Sequence, residues 1–368
     1  MLEQLNTAVR DSRKLDQRDE DPSEPSRVWS EEEVIDGETH QALTVILRTR
    51  GCTWAIKGGC SMCGYINDSF VKNITADHLV EQFETALERF DDHTVIKLYT
   101  SGSFLDDTEV HAEAQRRILD QVPDPVVRFQ SEAQAHHVTE DKLEDLRHRL
   151  PDGCEFALGI GMEASSDDVL EYSVNNEFDV ADYENAARVA EDYDTLLKCY
   201  VLVKPPFLTE REAIEEAVVT AERITGTPAL EALSFNPISV HKNTLVERMW
   251  EDGDYSPPWL WSVAEVLTRV DDIADTQVHS DVVAGGKPRG AHNCGECDDD
   301  VLRAIDAYKK TGDPAVFDRV DCECKEIWRE QLELEGLGLA GGSLAERFRQ
   351  AAGDVDGSRR AAEQWYEG

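Results

Sequence analysis

The sequence predicts an α/β protein built as a partial (β/α)6 TIM-like barrel with a small C-terminal cysteine-bound module. Three observations carry that expectation. Apolar, β-rich runs recur along the chain with helical patterns between them, three cysteines follow directly on the first run, and four more cluster far downstream. Strand then helix, repeated at least six times, implies a parallel sheet, open or curled into a barrel. Such folds carry their chemistry on loops at the C-terminal ends of the strands, which is where the first cysteines fall.

Residues 1–38 read as an acidic leader, rich in Asp, Glu, Pro and Ser and expected to be disordered. The strand runs are LTVILRTR (43–50), TVIKLYTSG (94–102), PVVRFQSEA (125–133), EFALGIGMEAS (155–165), LLKCYVLVKPP (196–206), ALSFNPISV (232–240) and TQVHSDVVAGG (276–286). In TADHLVEQFETALERF, Leu79, Phe83, Ala86, Leu87 and Phe90 share one helical face, and Thr75 is a good N-cap. TEDKLEDLRHRL, TEREAIEEAVVTAERI and PPWLWSVAEVLTRV fill later gaps in the same way. The barrel is expected over 39–286, the cysteine-rich module over 287–330, and a helical or flexible acidic tail over 331–368.

The chain carries 76 Asp and Glu against 37 Lys and Arg, a formal net charge of −39. Such a surface repels itself unless salt screens it, and in molar salt the Debye length falls to about 3 Å. The excess runs through most of the chain, which favours a halophilic cytoplasmic protein over an acidic protein that binds basic partners. Global acidity then says little about nucleic acid, whose phosphates are read by Lys and Arg. Only local patches such as RTR (48–50) and GGKPRG (285–290) still speak. The first thirty residues contain no run fit for a signal peptide, and no window approaches the roughly 20 apolar residues a membrane helix needs. No membrane partner is expected, and in the cytosol nine cysteines point to metal or redox chemistry before disulfides.

Cys52, Cys60 and Cys63 lie in RGCTWAIKGGCSMCGY (50–65) with the spacing C-x7-C-x2-C. Three thiolates can hold three irons of a four-iron, four-sulfide cube and leave the fourth iron open. Glycines allow a short loop the bends needed to wrap such a cluster. Three-quarters of a zinc site and incidental thiols are the other readings, and no histidine lies between positions 41 and 77 to complete zinc. The downstream group, Cys294 and Cys297 in HNCGEC with Cys322 and Cys324 in DCECK, matches structural zinc. His292 stands by as a spare ligand there, and an auxiliary iron–sulfur cluster or unligated thiols remain open. Cys154 and Cys199 read as small core residues.

A three-cysteine loop after the first strand of such a series resembles the radical S-adenosylmethionine (SAM) superfamily. The usual first gap there is shorter, and the residue before the last cysteine is usually aromatic, whereas here it is Met62. One branch of the superfamily has the longer gap. The resemblance implies that Ser101, Gly102 and Ser103 of YTSGSFLDD hold the methionine amino group through their backbone. It likewise implies that Glu132 of FQSEAQ and Glu163 of GIGMEASSDDVLEYSVNN face the cofactor. RGCTWAIKGGCSMCGY, TSGSFLDD, VLVKPPFLTEREAIEEA, FNPISVHKNTLVERMW, YSPPWLWSVAEVL and GGKPRGAHNCGECD occur in order. Together they are similar to the archaeosine-biosynthesis radical SAM family, often called RaSEA, over about residues 28–330.

That resemblance implies a 4Fe-4S cluster and SAM as cofactors and a lyase reaction of tRNA modification. The substrate would be tRNA bearing a lysine-conjugated 7-deazaguanine in its D-loop, made by a partner lysine transferase, and cleavage of a C–N bond would leave archaeosine. Two rivals stand beside it: other radical SAM chemistry on tRNA such as methylthiolation, and a non-catalytic zinc-binding module. Lys204, Asn236 and His241 are candidate substrate contacts. Trp259 and Trp261 are either base-stacking or helix-core residues, and His136–His137 reads as exposed.

Overall fold

The computed structural model describes residues 2–14, 19–35, 37–69, 73–338 and 342–348. One sheet runs through it in chain order: β1 (Arg27–Ile35), β2 (Glu38–Ile46), β3 (Val95–Tyr99), β4 (Arg128–Ala133), β5 (Glu155–Glu163), β6 (Thr195–Val203), β7 (Leu230–Pro237) and β8 (Gln277–His279). β1 pairs antiparallel with β2, and every later pairing is parallel. The sheet curls into a half-barrel whose edges, β1 and β8, do not pair with each other. All seven apolar runs overlap a parallel strand. Every run but PVVRFQSEA continues past its strand into the loop at the barrel mouth.

Alternation along the strands separates two environments. One face, with Leu43, Leu98, Phe129, Phe156, Cys199 and Phe235, packs under the helices and is fully buried. The other face points into the half-barrel and is polar: Thr44, Lys97, Gln130, Lys198, Ser234 and His279 line it. Barrel interiors are ordinarily filled by branched apolar side chains. This lumen departs from that pattern, with polar side chains in place of branched apolar ones.

The predicted helix after the first cysteine loop is Ala76–Leu87, and Thr75 caps it by accepting from the backbone N–H of His78. Helices Glu140–Arg147, Glu210–Ile224 and Leu260–Asp271 also match the patterns read from sequence.

The leader is the correction. Residues 1–38, expected to be disordered, carry the helix Leu2–Ser12 and the strand β1. Leu5, Ala8 and Val9, at helical spacing, bury one face in the core. In β1, Glu31 and Glu33 both pair with Lys97 on β3. The acids that made this segment look unfoldable are the ones the fold partners.

At the other end, the helices Asp298–Thr311 and Cys324–Gly336 pack on the barrel helices Leu260–Asp271 and Glu210–Ile224. Trp328 Nε1 donates to Ser262 Oγ at 2.8 Å, and the second helix runs on past the boundary expected at 330. Of the expected tail, Arg347 bonds both carboxylate oxygens of Glu212, and residues 349–368 lie outside the described residues. No helix among the described residues is long and apolar enough to cross a membrane.

Candidate active site and second cysteine centre

The loop after β2 is anchored from many directions. Cys52 begins the short helix Thr53–Lys57, and its N–H donates to Ser101 Oγ at 3.0 Å. Arg13, from the segment after the first helix, bonds the Gly58 carbonyl through Nε and the Cys60 carbonyl through Nη2, the latter at 2.9 Å. Asn175 Nδ2 donates to the Gly59 carbonyl at 2.8 Å, Ser61 Oγ donates to the Ser173 carbonyl at 2.7 Å, and Gly64 N–H donates to His241 Nδ1 at 3.1 Å. Gly59 sits at φ +87°, where a side chain would also press on Arg13 and the Ala55 backbone.

The TSGS segment after β3 is held by a residue the sequence reading missed. Glu109, 1% exposed, accepts from Thr49 Oγ1, Ser101 N–H, Ser101 Oγ and Ser103 N–H at 2.8–3.1 Å. Gly102 is required by close approach: a Cβ there would lie 2.8 Å from Cys52 Cβ and 2.5 Å from Glu109 Oε2. The segment expected to bind the cofactor is thereby locked to the first cysteine. A carboxylate ten residues past the end of β3 has no spacing that would flag it.

Glu132 and Glu163 end β4 and β5. Burial raises Glu132 to about 7, against a hydrogen bond from Tyr200 and the charge of Lys198. Burial, and then the charge of Glu132, raises Glu163 to about 8. Glu163 stands at φ +65°, past a register shift in β5, and Gly161 leaves the space its carboxylate occupies. An acidic residue held in left-handed backbone is strained, and the surrounding structure must hold it there. The turn beyond it is fastened by Glu216, which accepts from the backbone of Ser165 and Ser166 at 2.9 and 3.0 Å.

The three thiols fit a cluster better than a single ion. Burial pushes Cys52 up to about 12 and also raises Cys60 and Cys63. Among the described residues, only the downstream group brings three or more donor atoms all within 4.8 Å of one another. The loop thiols are therefore spread too widely for one zinc, which holds sulfur at about 2.3 Å. Burial holds these thiols and the nearby carboxyls toward their neutral forms, and a cationic guest beside them would favour the ionised ones. A metal cluster and the sulfonium and ammonium of SAM have that charge.

The downstream thiols meet without preparation. Cys294 lies 4.0 Å from Cys297 and 3.7 Å from Cys322, and Cys297 lies 3.6 Å from Cys324. Four sulfurs at about 2.3 Å from a tetrahedral metal stand about 3.8 Å apart. Trp261 Nε1 donates to Cys324 and Asn293 Nδ2 to Cys297, both at 3.3 Å. His292 turns away, its Nδ1 2.8 Å from the Gly290 carbonyl, so the spare ligand is not used.

The remaining candidates fall on structural roles. Lys204 pairs with the fully buried Glu210 at 2.6 Å, which fixes the turn after β6. Trp261 is buried against the cysteine group, and the half-buried Trp259 packs on the core and donates its Nε1 to Gln331 at 3.0 Å. His241 grips the cysteine loop, and Asn236 accepts from Ser234 Oγ at 3.3 Å in the lumen. His136 and His137 are half-buried, not exposed, stacked 4.1 Å apart with His136 also against Phe178. Arg13 and Glu109 left no trace in the motifs, because Arg13 acts through backbone carbonyls and Glu109 through backbone N–H groups and two hydroxyls far from it in sequence or inside the TSGS segment.

No family model matches the chain. It is 36% identical over 338 residues to the archaeosine synthase subunit beta of Methanosarcina acetivorans, spanning 90% of this chain and 96% of that protein. To the protein of the same name from Thermococcus kodakarensis it is 33% identical over 317 residues, 83% of this chain and 96% of the other. Among solved structures, methylornithine synthase superposes with a TM-score of 0.45 at 13% identity, over 75% of this chain and 70% of that one. Aligned along nearly its whole length with these relatives, the chain belongs to the archaeosine synthase subunit beta family.

Proposed function

We propose that this chain cleaves the C–N bond of a lysine-conjugated 7-deazaguanine in the tRNA D-loop, leaving the amidine of archaeosine on the tRNA. The observation that carries the reading is the convergence of the cysteine loop, the TSGS segment, Glu132 and Glu163 at the mouth of a polar lumen, in a chain of this family. Cys52, Cys60 and Cys63 would hold a 4Fe-4S cluster. Bound to its open iron, SAM would supply a 5′-deoxyadenosyl radical, the cofactor bringing the hard chemistry.

The protein's share is binding and orientation. Ser101, Gly102 and Ser103 present backbone beside Cys52, so they are placed for the methionine end of SAM. Glu132 and Glu163 are available to accept from its donors. The lysine nitrogen stays on the base and the carbon skeleton departs, which suits a lumen that takes in a polar chain end. Cys294, Cys297, Cys322 and Cys324 we assign to a structural zinc on the short sulfur spacings. The subunit name of the relatives supports a partner subunit, which we take to be the lysine transferase. We read the acidic surface as that of a cytoplasmic protein working in high salt.

The test is anaerobic turnover in high salt, following 5′-deoxyadenosine and the tRNA base by mass spectrometry. Deoxyadenosine that rises with lysine-modified tRNA, with archaeosine appearing in step, is the expected result. Deoxyadenosine indifferent to that tRNA would remove the substrate assignment, and a transferred methylthio group would favour the methylthiolation rival.

A further inference from the structure

The lumen holds three cations on its strands, and two of them are doubly paired. Lys97 pairs with Glu31 and Glu33, and Arg128 with Glu155 and Glu231. Lys198 on β6 is different. Its nearest carboxylate oxygen is Asp281 Oδ2 at 3.9 Å, while Asp281 Oδ1 already accepts from Lys309 Nζ at 2.8 Å. Beside them His279 is 3% exposed, and neither ring nitrogen has a hydrogen-bond partner; Nε2 lies 4.0 Å from Asp281 Oδ2. Buried polar groups of native proteins are nearly always partnered, so a group left short of partners is one built to receive something.

Position agrees with that reading. Glu132, Gly159 and Lys198 are aligned across β4, β5 and β6, and Ser234 on β7 is aligned with His279 on β8. Gly159 leaves room for the Tyr200 ring, which lies over it, within 2.8 Å of where a Cβ would stand. The Tyr200 hydroxyl reaches Glu132, and Lys198 Nζ lies 5.6 Å from the centre of the same ring. Glu132, Tyr200 and Lys198 therefore follow one another across the lumen face.

We propose that Lys198, His279 and Asp281 form a binding site for the α-amino-acid end of the substrate, Lys198 and His279 donating to a carboxylate and Asp281 accepting from an ammonium. The inference rests on the lysine-conjugate reading above. A lysine joined through its side-chain nitrogen keeps its α-carboxylate and α-ammonium free, and this group offers one complement to each. Paired charge-assisted bonds of this kind also set specificity, because a ligand lacking one partner leaves a buried ion uncompensated.

The test is calorimetric, on the anaerobically reconstituted protein with SAM present. The probes are Nε-acetyl-L-lysine, which has an intact amino-acid end, and N-acetylcadaverine, which lacks the carboxylate. The wild type is expected to prefer the first by about tenfold or more, the scale of one charge-assisted bond. Lys198→Met should erase the preference, Lys198→Arg should keep most of it, and Asp281→Asn should weaken both probes. Equal affinities in the wild type, no binding of either probe, or a preference that survives Lys198→Met would overturn the site. Loss of tRNA-dependent turnover with the preference intact would instead count against the tRNA reading and leave the amino-acid site standing.

Discussion

The two cysteine groups of this protein differ in what surrounds the sulfur. In the barrel loop Cys52 is buried and Cys60 and Cys63 are half-buried, the three do not all come within 4.8 Å of one another, and Glu109, Glu132 and Glu163 lie near enough to raise them. In the C-terminal group the thiols nearly touch, and N–H donors aim at them. Backbone N–H groups of Glu296 and Cys297 bring the exposed Cys294 down to about 7. The second group is ready for an ion by itself. On the proposed reading, the first is completed by a bound cluster and cofactor. Cysteine spacing alone does not say which thiols do chemistry; their neighbours do.

The widest separation between the groups comes from removing one thiol from each. Cys60→Ala should abolish deoxyadenosine formation, a fall of at least about a thousandfold, with Tm within a few degrees of wild type, because its carbon core is unchanged. Cys297→Ala should do the reverse at first: Tm falls by about 10 °C, since a structural metal contributes folding energy outright. Calorimetry and turnover on both variants check this. Similar effects of the two substitutions on both measures would break the distinction.

Next in size is the bracing of the cysteine loop. Gly102→Ala forces a methyl against Cys52 and Glu109. We expect cluster occupancy after reconstitution to fall several-fold and SAM cleavage by about a hundredfold, as for a misplacement of about 1 Å in a site that works by positioning. Glu109→Ala leaves Thr49, Ser101 and Ser103 donors buried without an acceptor, at about 1–3 kcal/mol for each. Denaturant unfolding should show that loss, and a stability equal to wild type would contradict the role given to Glu109.

The pH dependence is smaller and has a definite sign. In the metal-free protein Glu132 and Glu163 have folded values of about 7 and 8, above the ordinary carboxylate value. The folded state therefore binds more protons than the unfolded one between pH 4.5 and 8. Their contribution is fully present below the ordinary value and is lost as the pH rises through 7 and 8. Glu163→Gln should raise the Tm of the metal-free protein at pH 8 by a few degrees and make no difference near pH 5. The smallest effect expected is Arg13→Ala, which frees two loop carbonyls and should lower cluster occupancy a few-fold without removing it.

Much of this was legible in the sequence. The seven runs located the parallel strands, since burial under helices demands continuous apolar residues, and Thr75 marked its helix start by cap chemistry. Both cysteine groups were visible because thiols are rare and their spacing local. The leader was misread because its order depends on partners far away: Leu5, Ala8 and Val9 need the barrel surface, and Glu31 and Glu33 need Lys97. Arg13 binds backbone, which carries no residue signature, and Glu109 binds backbone N–H groups and hydroxyls that no short motif links to it. The lumen group stayed hidden for a related reason. Lys198 and His279 lie in short apolar strands, and only the curl of the sheet shows which face they share.

The most direct test of the central claim is quantitation of iron, labile sulfide and zinc. It should be made in anaerobically purified wild type and in the Cys52→Ala, Cys60→Ala, Cys63→Ala triple variant. The account predicts about four irons and four sulfides with about one zinc per wild-type chain, and zinc alone in the variant. Zinc without iron in the wild type, or iron that stays after the three loop cysteines are gone, would contradict it.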